Sequence, residues 1–248
     1  MHLKTIQASA FKAVFEVLKD IINDVNVYFT QAGIQILSLD TAHVTLVHMT
    51  LHAENFEEYD CPTEVTAGLN MANTYKLLKS VSGQDTLTMD IEGRDFVNIS
   101  IENQTKKSVT QFKLKLLDIN EDVLDIPDIH MDVITTMPSI DFQKITRDMY
   151  NLSNQMTIMR YGHTLELSCL GDFADQKTCI EYPDKVDQTG NVYSLKYINM
   201  YTKATSMCSS VQILQNSANL DMPIIFRYTI ANLGDLKFYL APISDSDN

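Results

Sequence analysis

The chain has 248 residues, 45% of them apolar, and a formal net charge of −13 with a pI near 4.7. Such acidity speaks against a generic nucleic-acid binder, and no run of about 18 apolar residues exists to span a membrane. The opening MHLKTIQASAF lacks the apolar core of a signal peptide, and Cys61, Cys169, Cys179 and Cys208 are scattered without a C-x-x-C pair. Reduced thiols and an intracellular protein are therefore expected.

Residues 2–7 read as a strand. Ser9 is placed to cap a helix over 10–22, whose Phe11, Val14, Phe15, Leu18 and Ile22 recur at spacings of three and four. Strands follow at 25–30 and 34–39 around a Gln31-Ala32-Gly33 turn, then at 44–51 and 65–69. Asn70 can cap a second helix, 71–81, closed by Gly83; strands 86–92, 96–101 and 108–116 come next.

The stretch Leu117 to Val133, LDINEDVLDIPDIHMDV, interrupts this order. Its acids alternate with single apolar residues in neither a helical nor a strand period. Pro127 removes a backbone donor and pushes Ile126 toward extended backbone, so the stretch reads as an exposed connector. Beyond it come strand 133–137, helix 140–152, strands 156–160, 164–169 and 175–182, helix 195–205, and strands 210–215, 223–229 and 235–241. The tail SDSDN is polar and expected to be disordered.

The two sides of the connector repeat. At an offset of 131, Phe11 meets Phe142, Val14 meets Ile145 and Leu18 meets Met149; further on the offset is 124, with Met71 on Leu195, Met89 on Ile213 and Leu116 on Leu240. Internal similarity in the same order of elements predicts a duplicated architecture. We read domains over 1–117 and 134–248 with a connecting loop over 118–133. The fold class is α+β, antiparallel sheets carrying two helices per domain.

The four helices share a charge pattern. Lys12 and Lys19, Lys76 and Lys79, Lys144 and Arg147, and Lys196 and Lys203 account for 8 of the 19 Lys and Arg residues on about 50 residues. A basic stripe opposite an apolar face is ordinary on one solvated helix. Four related helices sharing it suit a polyanion held at one face. No G-x-x-x-x-G-K-[ST], G-x-G-x-x-G, H-E-x-x-H or G-x-S-x-G occurs, so catalysis is not expected. Asp40 and His43 have no third ligand at suitable spacing, and neither metal nor cofactor is expected. Asp118, Asp122, Asp125, Asp128 and Asp132 gather in the connector without converging as a nuclease would require.

Four stretches carry a resemblance to the proliferating cell nuclear antigen family, the eukaryotic-type DNA sliding clamps. They are Leu39-Asp-Thr-Ala-His-Val-Thr-Leu-Val, Leu124-Asp-Ile-Pro127, the Tyr197–Thr205 run with its Thr-Lys-Ala-Thr, and Leu236-Lys-Phe-Tyr-Leu-Ala-Pro242. The resemblance implies two similar domains, three subunits closed head-to-tail into a ring, and helices lining the hole. It implies DNA-facing Lys12, Lys19, Lys76, Lys79, Lys115, Lys144, Arg147, Lys196 and Lys203.

It also implies a groove of Leu39, His43, Val44, Leu46, Leu124, Ile126, Pro223, Tyr239, Ala241 and Pro242. That groove would take peptides bearing a glutamine, an aliphatic anchor and two aromatics. The subunit contact would pair strand 108–116 with strand 174–182 of a neighbour around Phe112, Met149 and Leu152. Implied partners are duplex DNA, DNA polymerase, an ATP-dependent clamp loader, nuclease and ligase, in the nucleus or a viral replication compartment. A subunit of a heteromeric checkpoint-type clamp is the alternative. Ala13 and Ser108 stand where the family often has lysine, and Gly162 where many members carry a modifiable lysine.

Overall fold

The computed structural model describes residues 1–120, 124 and 129–243. The connector residues Ile126 and Pro127, the acids Glu121, Asp122, Asp125 and Asp128, and the SDSDN tail lie outside the described residues. The chain forms two compact units. One comprises Met1–Thr41, Val47–Asp125 and Thr229–Leu236; the other comprises Ala42–Leu46, Ile126–Tyr228 and Lys237–Asn248.

In the first unit, β1 (His2–Thr5), β5 (Glu58–Asp60), β7 (Asp85–Ile91), β8 (Phe96–Asn103) and β9 (Ser108–Lys115) make a sheet ordered β5-β1-β7-β8-β9. β2 (Asp24–Thr30) pairs antiparallel with β3 (Gly33–Leu39) and with β6 (Val65–Asn70), and β4 (Thr45–His52) follows β3 along the chain. The turn at Gly33 demands glycine. Its φ is +139°, and a Cβ there would stand 1.9 Å from the Leu51 carbonyl oxygen.

α1 (Ala8–Leu18) buries Phe11, Val14, Phe15 and Leu18, and packs beside α2 (Met71–Leu78). The helix begins one residue before the expected cap. Gln7 occupies the cap position with no side-chain bond to the helix, so Ser9 lies inside the first turn. α2 starts as expected, with the Asn73 amide donating to Asn70 Oδ1 at 2.8 Å.

The second unit repeats the plan. β10 (Val133–Pro138), β13 (Ser210–Gln215) and β14 (Ile224–Ile230) run antiparallel in that spatial order. α3 (Ser139–Tyr150) and α4 (Leu195–Tyr201) pack together. Phe142 stacks on Phe226 at 5.6 Å, and Tyr201 on Phe238 at 4.3 Å. β11 (Gln155–Cys169) and β12 (Gln176–Ser194) form a long ladder with register shifts on either side of Gly162.

The duplication is written in the registers. Asp24 faces Asn70 and Val25 faces Leu69 in the first unit; Gln155 faces Ser194 and Met156 faces Tyr193 in the second. That is the same pairing moved by 131 on one strand and 124 on the other, the offsets read from the sequence. The expected helix over 195–205 divides: the α-helix stops at Tyr201, and Thr202–Ser206 continue as a 3-10 turn.

Candidate DNA-facing helices, partner groove and subunit edges

The helical cations lie outside the buried stripes of their helices. In the first unit Lys76 and Lys79 are exposed, whereas Lys12 and Lys19 are half-buried. Lys12 Nζ donates at 2.7 Å to the carbonyl of Val81, three residues beyond the end of α2. Lys19 lies 2.9 Å from Asp20 and 5.2 Å from the centre of the Tyr75 ring, whose hydroxyl donates to Glu16 at 2.9 Å. Four lysines thus share this surface with two carboxylates, Glu16 and Asp20. In the second unit Lys144, Arg147, Lys196 and Lys203 are exposed, with Asp141 and Asp148 on α3 beside them. Arg147 occupies the last turn of α3 and Asp141 the first, each at the favourable end of the helix dipole. Lys115 is exposed at the end of β9.

Part of the expected groove is assembled within the second unit. The amide of Ala241 donates to the Val44 carbonyl at 3.2 Å. Thr45, fully buried, donates its hydroxyl to the Tyr239 carbonyl at 2.9 Å and accepts the Tyr201 hydroxyl at 2.6 Å. These bonds seat Ala42–Leu46 beside the chain's last strand, β15 (Gly234–Leu240). His43 is held at φ +56°, a left-handed conformation uncommon outside glycine but one that histidine, like Asn and Asp, adopts more readily than most residues. Val44, Leu46, Pro223 and Pro242 are half-buried, and Ala241 and His43 exposed. Tyr239 is only 9% exposed, and burial pushes its hydroxyl pKa up. Leu39 and Leu124 belong to the first unit and are half-buried there; Ile126 lies outside the described residues.

The residues expected at a subunit contact differ in exposure. Phe112 is half-buried on β9, the last strand of its sheet, and the neighbouring Val109 is 59% exposed. Leu152 is half-buried. Met149 does not fit the expectation of a contact residue. It is 0% exposed, because residue 149 lies on the inward stripe of α3 and is spent on its own core. In its place the β11–β12 turn offers Leu170 at 80% and Phe173 at 79% exposure. A depression of about 370 Å³ beside this turn is lined by Tyr150, Leu152, Gln155, Leu170 and Asp172. Sequence reasoning passed over both residues; two large apolar side chains in a Leu-Gly-Asp-Phe-Ala-Asp turn were the available signal.

Gly162 has φ +52° and open space where a Cβ would point. Just before it, the guanidinium of fully buried Arg160 donates to the carbonyls of Gly162 and Asp184 at 2.9 and 3.1 Å and to the Asp184 carboxylate at 3.1 Å. Among the described residues no three His, Cys, Asp or Glu side chains are grouped as metal ligands.

Comparison with known proteins accords with this organisation. Residues 1–124 match the family model of the proliferating cell nuclear antigen N-terminal domain, and residues 125–243 that of its C-terminal domain. The chain is 36% identical, over 98% of its length and 96% of the relative's, to a protein of Paramecium bursaria Chlorella virus 1 named probable DNA polymerase sliding clamp 1. A duplicated α+β chain matched from end to end by both domain models belongs to the proliferating cell nuclear antigen family, the eukaryotic-type DNA sliding clamps.

Proposed function

We propose that three copies of this chain close into a ring around duplex DNA and act as a non-catalytic processivity factor for DNA polymerase. The observation that carries this reading is the duplicated helix pair, with Lys12, Lys19, Lys76 and Lys79 in the first unit and Lys144, Arg147, Lys196 and Lys203 in the second. A closed ring cannot leave sideways, so weak, sequence-blind phosphate contacts suffice and still permit sliding. Ring closure would join the open edge of β9 on one copy to the 176–182 segment of β12 on the next. Phe112, Val109, Leu152, Leu170 and Phe173 would supply its apolar centre.

The Val44–Ala241 surface, with Leu39, Leu46, Leu124, Ile126, Pro223 and Pro242, would receive short peptides of polymerase, nuclease and ligase. Opening the ring falls to a separate ATP-driven loader, and the site of action is the nucleus or a viral replication compartment. Whole-chain likeness to a protein named as a polymerase clamp favours a homotrimer over a heteromeric checkpoint clamp. Light scattering on the chain expressed alone, followed by retention on circular against linear duplex after loading, tests the proposal. A monomer, or equal retention on both DNA forms, refutes it.

A further inference from the structure

The trailing end of the connector is fastened to a loop of its own unit. Asn216 Nδ2 donates to the His130 carbonyl at 2.7 Å, and the Ser217 amide donates to Asp132 Oδ1 at 2.8 Å. The Ser217 hydroxyl donates to Asp132 Oδ2. Both oxygens of one carboxylate are thus engaged by one residue, a charge-assisted fork that fixes direction as well as distance.

The loop that provides these donors is itself braced. The amides of Asn219 and Asp221 donate to Asn216 Oδ1 and Asn219 Oδ1 at 2.7 and 3.0 Å. Thr189 Oγ1 ties the Asn216 carbonyl to β12 at 2.8 Å, and Asn191 Nδ2 ties that of Leu220 at 3.2 Å. The loop then runs directly into Pro223, one of the groove residues. Ile129 and Met131, between and beside the fastened positions, are only half-buried, so apolar packing does not explain the attachment. The Ser217 bonds hold the Asp132 carboxyl below the usual carboxylate range, so it is ionised at neutral pH.

We propose that Asp132 is a positioning residue for partner capture: gripped by Ser217, it anchors the connector's trailing end to the 216–222 loop, so that an incoming peptide meets a connector already fixed at one end. This rests on the peptide-groove reading above. An anchor open most of the time lowers the fraction of chains ready to bind, and apparent affinity falls by that fraction. A ready fraction of about one in five weakens binding about fivefold.

The test uses Asp132→Ala, Ser217→Ala, their double mutant and Asp132→Asn. The readouts are amide exchange at 130–132 and 216–222, and titration of a fluorescent peptide carrying a glutamine, a leucine, two phenylalanines and a lysine flank. We expect faster exchange in both segments, peptide binding about fivefold weaker in either alanine variant and no weaker in the double, and Asp132→Asn in between, since its amide keeps one acceptor oxygen. Unchanged exchange in Asp132→Ala overturns the anchor. Faster exchange with unchanged peptide affinity overturns the positioning role and leaves a purely structural tie. A wild-type chain that does not bind the peptide defeats the groove reading and the positioning role with it; failure in the variants alone defeats only the latter.

Discussion

Asn70 joins a local rule to the surface proposed to face DNA, and its replacement gives a sharp expectation. Its side chain does two things: Oδ1 accepts the Asn73 amide at 2.8 Å, capping α2, and Nδ2 donates to Asp24 at 2.6 Å. α2 has only 8 residues, so one satisfied amide is a large share of its end stabilisation. Losing the cap costs about 1 kcal/mol. The exposed bond to Asp24 contributes about 0.5 kcal/mol more, below a typical hydrogen bond because water competes. Asn70→Ala should therefore lower unfolding free energy by about 1.5 kcal/mol. Asn70→Ser, which keeps a capping oxygen and loses the Asp24 bond, should lower it by only about 0.5 kcal/mol. Urea titrations followed by circular dichroism, with amide exchange at Asn73 as the local readout, measure both. Equal losses in the two variants, or unaltered exchange at Asn73, would show that the cap does not hold this helix.

Alanine at Lys19, Lys76, Lys144, Arg147 or Lys203 should reduce clamp-dependent synthesis modestly and glutamate much more, with no dependence on template sequence; strong sequence dependence would contradict phosphate contact. Phe112→Ala with Leu152→Ser should yield monomers by light scattering. Phe173→Ser with Leu170→Ser should weaken assembly on its own, and wild-type mass in both pairs would place the contact elsewhere. His2 bridges Asp90 at 2.6 Å and Glu58 at 3.3 Å across three strands, and its pKa is raised first by the Asp90 hydrogen bond. The stabilisation is complete below the unfolded value of 6.5 and is lost as pH rises through the higher folded value. His2→Gln should flatten the fall in stability just above that value, and an unchanged pH profile would dismiss the bridge.

What the sequence disclosed follows from periodicity. The inward stripe of α1 and the matching Phe142 on α3 were legible because a helix repeats every 3.6 residues. The same stripe counts against Met149: it aligns with Leu18, a core residue, so its burial was already implicit. β12 was foreseen only to residue 182, whereas it runs to Ser194. Asp184, Lys185 and Asp187 break any alternation, and what aligns this part of the strand is pairing with β11 and the buried Arg160 grip on Asp184. Apart from the Asp184 carboxylate, that grip relies on carbonyls, which carry no sequence signature. Nor does periodicity join Val44 to Ala241, nearly two hundred positions apart; the resemblance supplied that pair, and the Thr45 hydrogen bonds give it a physical cause.

The charge layout bears on mechanism more than the net value of −13 does. The helix faces are not uniformly basic: Glu16 and Asp20 share one, Asp141 and Asp148 the other, and Lys12 and Lys19 already hold partners within the chain. A surface built to grip DNA by affinity would keep its cations free and its acids away, because each engaged phosphate steepens salt dependence and slows release. Here attraction is moderated on the surface where phosphate is expected. That moderation is a defect in a protein that must find and hold DNA unaided. In a closed ring it is an advantage, since retention comes from topology and every strong contact would only impede travel along the duplex.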